Sequence, residues 1–131
     1  TAVMFDLDHF SDINDEHGHL AGDRVLEGVG RCCRENLRDD DIVGRLGGEE
    51  FAMVLPRTEA ATASEVADRL RRAIGARKVE WREESITVTM SAGVAELSDE
   101  DRSLEDLLHR ADERLLEAKE LGRNQIVTDS N

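Results

Sequence analysis

Three stretches of the chain place apolar residues at helical spacing, and each predicts an amphipathic helix. They cover roughly residues 20–37, 63–74 and 104–118. Ser103 is suited to cap the third helix, because its hydroxyl can accept from a free backbone amide at the helix start. Gly122 follows that helix and ends it. Each helix therefore offers one apolar face to a core.

Shorter apolar runs between the helices predict β-strands, at residues 2–6, 42–46, 51–55, 79–82, 86–94 and 124–127. Four residues beginning Gly-Gly separate the second and third runs, which indicates a β-hairpin because glycine accepts a positive φ. The order β-α-β-β-α-β-β-α-β predicts an α+β fold with a central, mostly antiparallel sheet and helices on one face. A doubly wound parallel sheet is the alternative, but parallel neighbours need a crossover of about a dozen residues or more.

Composition narrows the possible partners. The 131 residues suit one domain, 36% of them are charged, and the net charge is −13. An acidic surface of this kind repels nucleic acids and anionic membranes, so we expect neither as a partner. A small phosphorylated ligand remains compatible if metal ions or a few placed cations offset the field.

The cysteines and the hydropathy favour a cytoplasmic domain. Cys32 and Cys33 are adjacent and lack metal-ligand spacing, so we expect reduced thiols packed in the core. No apolar run approaches the roughly 18 residues that span a bilayer, and no signal peptide is evident. Because the chain opens directly in a strand, we expect it to be part of a longer protein, for example the cytoplasmic part of a membrane-anchored sensor.

Acidic residues end the first strand and occupy the hairpin. Asp6 and Asp8 could hold a metal ion at the sheet edge, or could simply solvate a strand end. In the hairpin, Gly47 and Gly48 allow a phosphate to approach the backbone, and Glu49 supplies a hard oxygen ligand for Mg²⁺. An ordinary tight turn with acidic residues is the structural alternative for this segment.

Two cations stand near the end of the last helix. Lys119 and Arg123 are expected to lie one helical turn apart at the end of the last helix. They can complement the helix dipole or point toward a triphosphate. Their spacing alone does not choose between these roles.

These pieces occur together, in order, in one family. The motifs are Asp6-Leu7-Asp8-His9-Phe10, Arg45-Leu46-Gly47-Gly48-Glu49-Glu50-Phe51 and Ala118-Lys119-Glu120-Leu121-Gly122-Arg123-Asn124, and between them lie Ile13-Asn14-Asp15, Gly18-His19, Gly22-Asp23, Ser91-Ala92-Gly93-Val94-Ala95 and Ala111-Asp112. With them the chain resembles the GGDEF (diguanylate cyclase) domain in its GGEEF variant. The resemblance covers nearly the whole chain and implies a single GGDEF domain over residues 1–131, with a sheet flanked by helices as in nucleotidyl cyclases and polymerase palms.

The resemblance implies a metal-dependent reaction that condenses two GTP into cyclic di-GMP and releases pyrophosphate. Asp6 and Glu49 become the carboxylate ligands of Mg²⁺ (or Mn²⁺), with the Leu7 carbonyl as a backbone ligand. Asp8 is expected to face the other way. Glu50 would deprotonate or position the attacking 3′-hydroxyl. The residues named as catalytic are therefore Glu50, Glu49 and Asp6.

Substrate contacts are implied in the same way. Gly47 and Gly48 would lie beside the phosphates, and Lys119 and Arg123 would neutralise the β and γ groups. The resemblance assigns the guanine base to a second pair, Asn14 and Asp23. A carboxylate suits guanine, which offers N1–H and N2–H₂ donors, whereas adenine presents an acceptor at N1. Because one domain holds one GTP, catalysis is expected only in a homodimer with facing sites.

The family also carries an inhibitory product site, Arg-x-x-Asp, nine residues before the first signature glycine. Arg38 and Asp41 have that spacing, and Arg69 would be a third contact. Cyclic di-GMP would then be both product and allosteric ligand. The alternative is a solvated charge run at a helix end.

The chain also departs from the family pattern. Ser11 replaces a frequent Lys, Leu116 stands where Tyr is common, and the usual segment upstream of the first strand is missing. Fusion to a sensory or receiver module is expected. The competing functional reading is a catalytically silent module that binds GTP or cyclic di-GMP.

Overall fold

The computed structural model describes residues 1–129, so the last two residues of the predicted 1–131 domain lie outside the described range. The elements are β1 (Ala2–Leu7), α1 (Phe10–His17), α2 (His19–Asn36), β2 (Ile42–Gly47), β3 (Glu50–Val54), α3 (Ala60–Ala76), β4 (Val79–Trp81), β5 (Glu84–Ile86), β6 (Met90–Ala95), α4 (Leu104–Glu120) and β7 (Ile126–Thr128). The α+β class predicted from the sequence is confirmed.

The main sheet has five strands in the order β2-β3-β1-β6-β7, and β4 pairs with β5 in a separate hairpin. Its first three pairings, β2 with β3, β3 with β1 and β1 with β6, are antiparallel, and β7 runs parallel to β6. The first strand of the chain therefore lies at the centre. It carries Asp6 between Glu50 on one neighbour and Ser91 on the other.

Helices cover both faces of the sheet, so the expected one-sided packing is wrong. Successive side chains of a strand point to opposite faces. Val3, Phe5 and Leu7 belong to a core that includes residues of α2 and α3, whereas Ala2 and Met4 pack with Leu107 and other residues of α4. Both faces of β1 are buried, which explains its continuous apolar run.

Cys32 and Cys33 are free and buried in the core formed with α2 and α3, as expected. Burial raises the pKa of the Cys33 thiol to about 11, and the neighbouring Cys32 adds to the rise. A thiol with so high a pKa is protonated at neutral pH and is a poor nucleophile.

Helix α4 lies directly on β6 at Gly93. A Cβ atom at this position would stand 2.0 Å from the Ala111 carbonyl oxygen and 2.2 Å from the Leu115 nitrogen. Only glycine allows such an approach of two backbones. The contact fixes the height of α4 above the sheet and, through it, the position of Lys119 on its last turn.

Several boundaries differ from those predicted. Helix α1 is not among the helices predicted from the sequence, because Phe10 is its only buried residue and leaves no apolar period. The predicted strand 86–94 is two strands, β5 and β6, and the last strand begins at Ile126 rather than at residue 124. Strands β2 and β3 extend into the hairpin, so two residues, not four, form its loop.

Among the described residues, no helix is long and apolar enough to cross a membrane.

Candidate active site

Asp6 stands near the end of β1 and faces α4. Its Oδ2 atom is paired with the ammonium group of Lys119. Its Oδ1 atom is buried and has no hydrogen-bond partner within residues 1–129. A buried carboxylate oxygen without a partner is costly, and a cation is the natural group to satisfy it.

The hairpin tip lies against the end of β1. The backbone amide of Leu7 donates to the Glu49 carbonyl over 3.1 Å, which holds the turn beside Asp6. Gly48 has φ +48°, and Arg45 Nε donates to its carbonyl oxygen over 2.8 Å. A Cβ atom at Gly47 or Gly48 would meet nothing within 4 Å, so both glycines border open space. The backbone of the tip is thus accessible to a ligand.

Glu50 is the register partner of Asp6 on β3, so both side chains lie on the face covered by α4. Burial raises the pKa of the Glu50 carboxyl, and the carboxylates of Asp6, Asp112 and Glu49 raise it further, while Lys119 opposes them. The site thus holds more negative charge than one lysine can balance. A bound cation would relieve that repulsion.

Asp112 belongs to the Ala111-Asp112 motif, to which the resemblance assigns no role. It lies seven residues before Lys119 on α4, which places both on one side of the helix, and its charge acts on Glu50. The seven-residue spacing could have indicated this position, but only if α4 was known to cross the end of β1.

Asn14 lies on α1 and packs against Gly22 of α2, the residue before Asp23. A Cβ atom at Gly22 would stand 1.9 Å from the Asn14 Oδ1 atom. The missing side chain at Gly22 therefore makes room for the amide of Asn14. Asn14 therefore lies next to the residue that precedes Asp23, the other residue expected to contact guanine.

The sequence spacing suggested that Lys119 and Arg123 lie one turn apart on the same helix, but in the structure they do not. Helix α4 ends at Glu120, and Gly122 has φ +120°. The Arg123 amide donates to the Ala118 carbonyl over 3.0 Å and the Gly122 amide to the Lys119 carbonyl over 3.3 Å, which is a Schellman ending. Lys119 points to Asp6, and Arg123 is exposed on the following turn.

Asp8 is buried just beyond β1, and its expected orientation away from Asp6 is wrong. Its Oδ1 atom accepts from the hydroxyl of Ser91, which is the register partner of Asp6, so Asp8 reaches the same face. Its Oδ2 atom accepts from the Thr89 hydroxyl and from the Asn124 amide. Both oxygens are already used, which disfavours Asp8 as a metal ligand.

Arg38, Asp41 and Arg69 come together around one cavity. They line a cavity of about 140 Å³ between the end of α2 and α3, together with Thr58. Arg38 Nη2 donates to Asp41 Oδ1 over 3.3 Å and to Thr58 Oγ1 over 2.8 Å. Arg69 donates to the Asn36 carbonyl over 2.9 Å. The two guanidinium groups therefore border one cavity.

The donor set at β1 and the hairpin fits a hard divalent cation. Within the described part of the chain, no three His, Cys, Asp or Glu side chains are clustered in a way that would hold a metal by themselves. Mg²⁺ commonly binds through one or two carboxylates and completes its shell with water and substrate phosphates. The unpartnered Asp6 Oδ1 and the neighbouring Glu49 meet that requirement.

Comparison with known proteins gives one consistent result. Residues 1–125 match the family model "Diguanylate cyclase, GGDEF domain". The chain is 38% identical over 129 residues to diguanylate cyclase A of Treponema denticola, covering 98% of this chain and 35% of that protein. The chain therefore spans about a third of the length of this relative.

Solved structures agree with the sequence matches. Diguanylate cyclase SiaD from Pseudomonas aeruginosa, crystallised with its activator SiaC, superposes with a TM-score of 0.92 at 38% identity, covering 98% of this chain and 49% of that one. The GGDEF domain of DgcB from Caulobacter crescentus, in complex with c-di-GMP, gives 0.91 at 32% identity, covering 97% and 75%.

Proposed function

The chain belongs to the GGDEF diguanylate cyclase domain family, and we propose that it condenses two molecules of GTP into cyclic di-GMP with release of pyrophosphate. One observation carries the proposal: Asp6 Oδ1 is buried beside Glu49, Glu50 and Lys119 and has no hydrogen-bond partner among residues 1–129. A buried carboxylate oxygen that can bind a cation, next to a glycine turn that borders open space, suits a bound triphosphate.

Asp6, Glu49 and the Leu7 carbonyl would hold Mg²⁺ or Mn²⁺, which supplies charge stabilisation at the reacting phosphates. The open turn at Gly47 and Gly48 admits the phosphates. Lys119 and Arg123 would bind the β and γ phosphates. Negative charge builds up on these two groups as pyrophosphate leaves.

Guanine would be held by Asn14 and Asp23. The Asp23 carboxylate can accept from N1–H and N2–H₂ of guanine but finds an acceptor at N1 of adenine. Sites built on such hydrogen bonds reject analogues that lack the donors by about 10⁴-fold in the best cases. The packing of Asn14 against Gly22 supports this assignment.

The reaction would join two facing domains. The 3′-hydroxyl oxygen of one GTP attacks the α-phosphorus of the other, the bond to the bridging oxygen breaks, and pyrophosphate leaves. Glu50 would accept or orient the proton of the attacking hydroxyl, and its raised pKa makes it a stronger base than an ordinary carboxylate. A second, reciprocal transfer closes the ring.

Regulation is proposed at two levels. Arg38, Asp41 and Arg69 would bind cyclic di-GMP in the cavity between α2 and α3 and inhibit the enzyme. An upstream sensory or receiver module, or a separate activator as in the SiaD complex, would control the meeting of two domains.

The experiment is a product assay. The protein, fused to a dimerising coiled coil, is incubated with GTP and Mg²⁺, and cyclic di-GMP is measured by chromatography. Glu49→Ala is expected to abolish the product, whereas Glu65→Ala, which removes an exposed carboxylate on α3, should leave it unchanged.

A catalytically silent binding module is the competing function. GTP binding in the same fused protein, with no cyclic di-GMP above the Glu49→Ala level, would support that function instead.

A further inference from the structure

Asp8 is a buried carboxylate that the proposed chemistry does not use. It is 7% exposed, and within residues 1–129 no Lys, Arg or His lies within ion-pair distance of it. Burying an unpaired charge is costly unless hydrogen bonds satisfy it. The carboxylate accepts three, from Thr89 Oγ1 over 2.6 Å, from Ser91 Oγ over 2.7 Å and from the Asn124 amide over 3.1 Å.

These donors come from separate parts of the fold. Thr89 and Ser91 lie at the start of β6, and Asn124 lies in the turn between α4 and β7. The Asn124 amide is shared with Ser91 Oγ, also at 3.1 Å. Asp8 therefore joins the end of β1 to β6 and to the turn that follows α4.

That turn has an unfavourable backbone. Gly122, Arg123 and Asn124 have φ of +120°, +64° and +49°. Residues other than glycine rarely adopt a positive φ. Two such residues in succession, here Arg123 and Asn124, keep it only when neighbouring contacts impose it. The Schellman bond to Ala118 fixes the Arg123 amide, and Asp8 fixes the next amide. The backbone is thus held on both sides of Arg123.

Only an acceptor can serve at this position. Two hydroxyls and one amide all donate toward Asp8, and a carboxylate is the side chain that accepts at both oxygens. The backbone N–H of Asn124 can only donate a hydrogen bond, whereas the two hydroxyls can also accept one. The negative charge itself would repel a triphosphate, so its presence near the site calls for a structural benefit.

We propose that Asp8 is a positioning residue: by fixing the left-handed turn at Arg123 and Asn124, it directs the Arg123 guanidinium to the triphosphate of bound GTP. The inference rests on the proposed function, in which Arg123 binds the phosphates. Asp8 acts through Arg123 and touches neither substrate nor metal.

A double-mutant cycle tests the inference on the full chain. Affinity for GTP with Mg²⁺ is measured by calorimetry for the wild type, Asp8→Ala, Arg123→Ala and the double variant. We expect each single change to weaken GTP binding by about tenfold or more, the usual effect of losing a charge-assisted hydrogen bond. The double variant should bind no more weakly than Arg123→Ala, because both changes remove one interaction.

Additive losses in the double variant would overturn the inference, as would unchanged or tighter GTP binding by Asp8→Ala. Affinity for GMP, followed by NMR titration, should not change, because GMP lacks the groups that Arg123 contacts. Asp12→Ala, which removes an exposed carboxylate four residues away, is the matched control and should bind GTP normally.

Two further outcomes keep the proposals separable. If Asp8→Ala does not fold, the cycle is repeated with Asp8→Asn, whose single acceptor oxygen cannot serve all three donors, and a smaller loss of GTP affinity with the same non-additivity is expected. If Arg123→Ala alone leaves GTP binding intact, the phosphate role of Arg123 fails and this inference fails with it. If Arg123→Ala weakens GTP binding but the Asp8 variants bind GTP like the wild type, this inference fails and the proposed function stands.

Discussion

The ammonium group of Lys119, on the last turn of α4, is paired with Asp6 on the central strand. The pair joins the helix layer to the sheet at the point where the hairpin also meets β1. It occupies one carboxylate oxygen of Asp6 and leaves the other without a partner in the part of the chain that the structure describes.

Replacing Lys119 by Met should destabilise the domain at neutral pH. The Asp6 carboxylate is mostly buried, and without Lys119 both of its oxygens would lack a partner. Because Lys119 is partly exposed to solvent, we expect a loss of about 1–2 kcal/mol rather than the larger cost of a fully buried pair. Urea unfolding at pH 7 measures this loss in the free energy of unfolding.

Lys78→Met is the control: this exposed lysine has no ion-pair partner within residues 1–129 and should change stability by less than about 0.5 kcal/mol. Equal losses in the two variants would contradict the role of the Asp6 pair.

A methyl group at Gly22 should weaken GTP binding more than it weakens the fold. In Gly22→Ala the new Cβ atom would overlap Asn14 Oδ1, so the amide must move away from its position beside Asp23. We expect about a tenfold loss of GTP affinity, equivalent to about 1.4 kcal/mol.

Gly30→Ala provides the comparison on the same helix. Its Cβ atom would meet only the end of the Arg34 side chain at 3.5 Å, an ordinary contact. We expect unchanged GTP affinity and a gain of up to about 1 kcal/mol in stability from helix propensity. Calorimetry and thermal unfolding of both variants check the contrast, which disappears if Asn14 has no part in binding.

Gly93→Ala should destabilise the molecule, because its Cβ atom would collide with the backbone of α4 rather than with a flexible side chain. We expect a loss of about 1–3 kcal/mol, or more if α4 separates from β6. Gly75→Ala on α3 meets nothing within 4 Å and should be neutral or slightly stabilising. Denaturant midpoints compare the two. A tolerated alanine at Gly93 would show that α4 can shift.

Stability should fall in acid through Asp101. The Arg110 guanidinium and the Ser98 amide donate to this carboxylate and lower its pKa to about 2, from an ordinary value of 3.8. Because the folded-state pKa is the lower one, the stabilisation is complete above about pH 4 and is lost as the pH falls toward 2. Urea midpoints from pH 7 to pH 2 should therefore separate wild type from Asp101→Asn at neutral pH and converge in acid. A constant separation would mean that the carboxylate charge is not involved.

The sequence predicted the parts whose signal is local. Helix α4 was foreseen with its cap, and Ser103 does accept from the Asp106 amide. The hairpin was foreseen from its glycines. In contrast, α1 buries only Phe10 and shows no apolar period, so its residues look like a loop.

Other features depend on distant parts of the chain. The hydrogen bonds of Asp8 reach residues 81 to 116 positions away, and no spacing rule connects them. The left-handed backbone of Arg123 was not predicted either, because Gly122 marks the end of the helix but not the conformation of the residues that follow it. In this site the residue types could be predicted, and the backbone that orients them could not.

The central place of β1 has a consequence for how the molecule is made. Asp6 pairs with Glu50 on one side and with Ser91, 85 positions later, on the other. At about 5–20 residues per second, the ribosome needs several seconds to deliver that second neighbour. Until then β1 lacks its neighbour β6, so one side of the strand stays unpaired while the rest of the domain is synthesised. The central strand of the sheet is therefore completed only late in the synthesis of the domain.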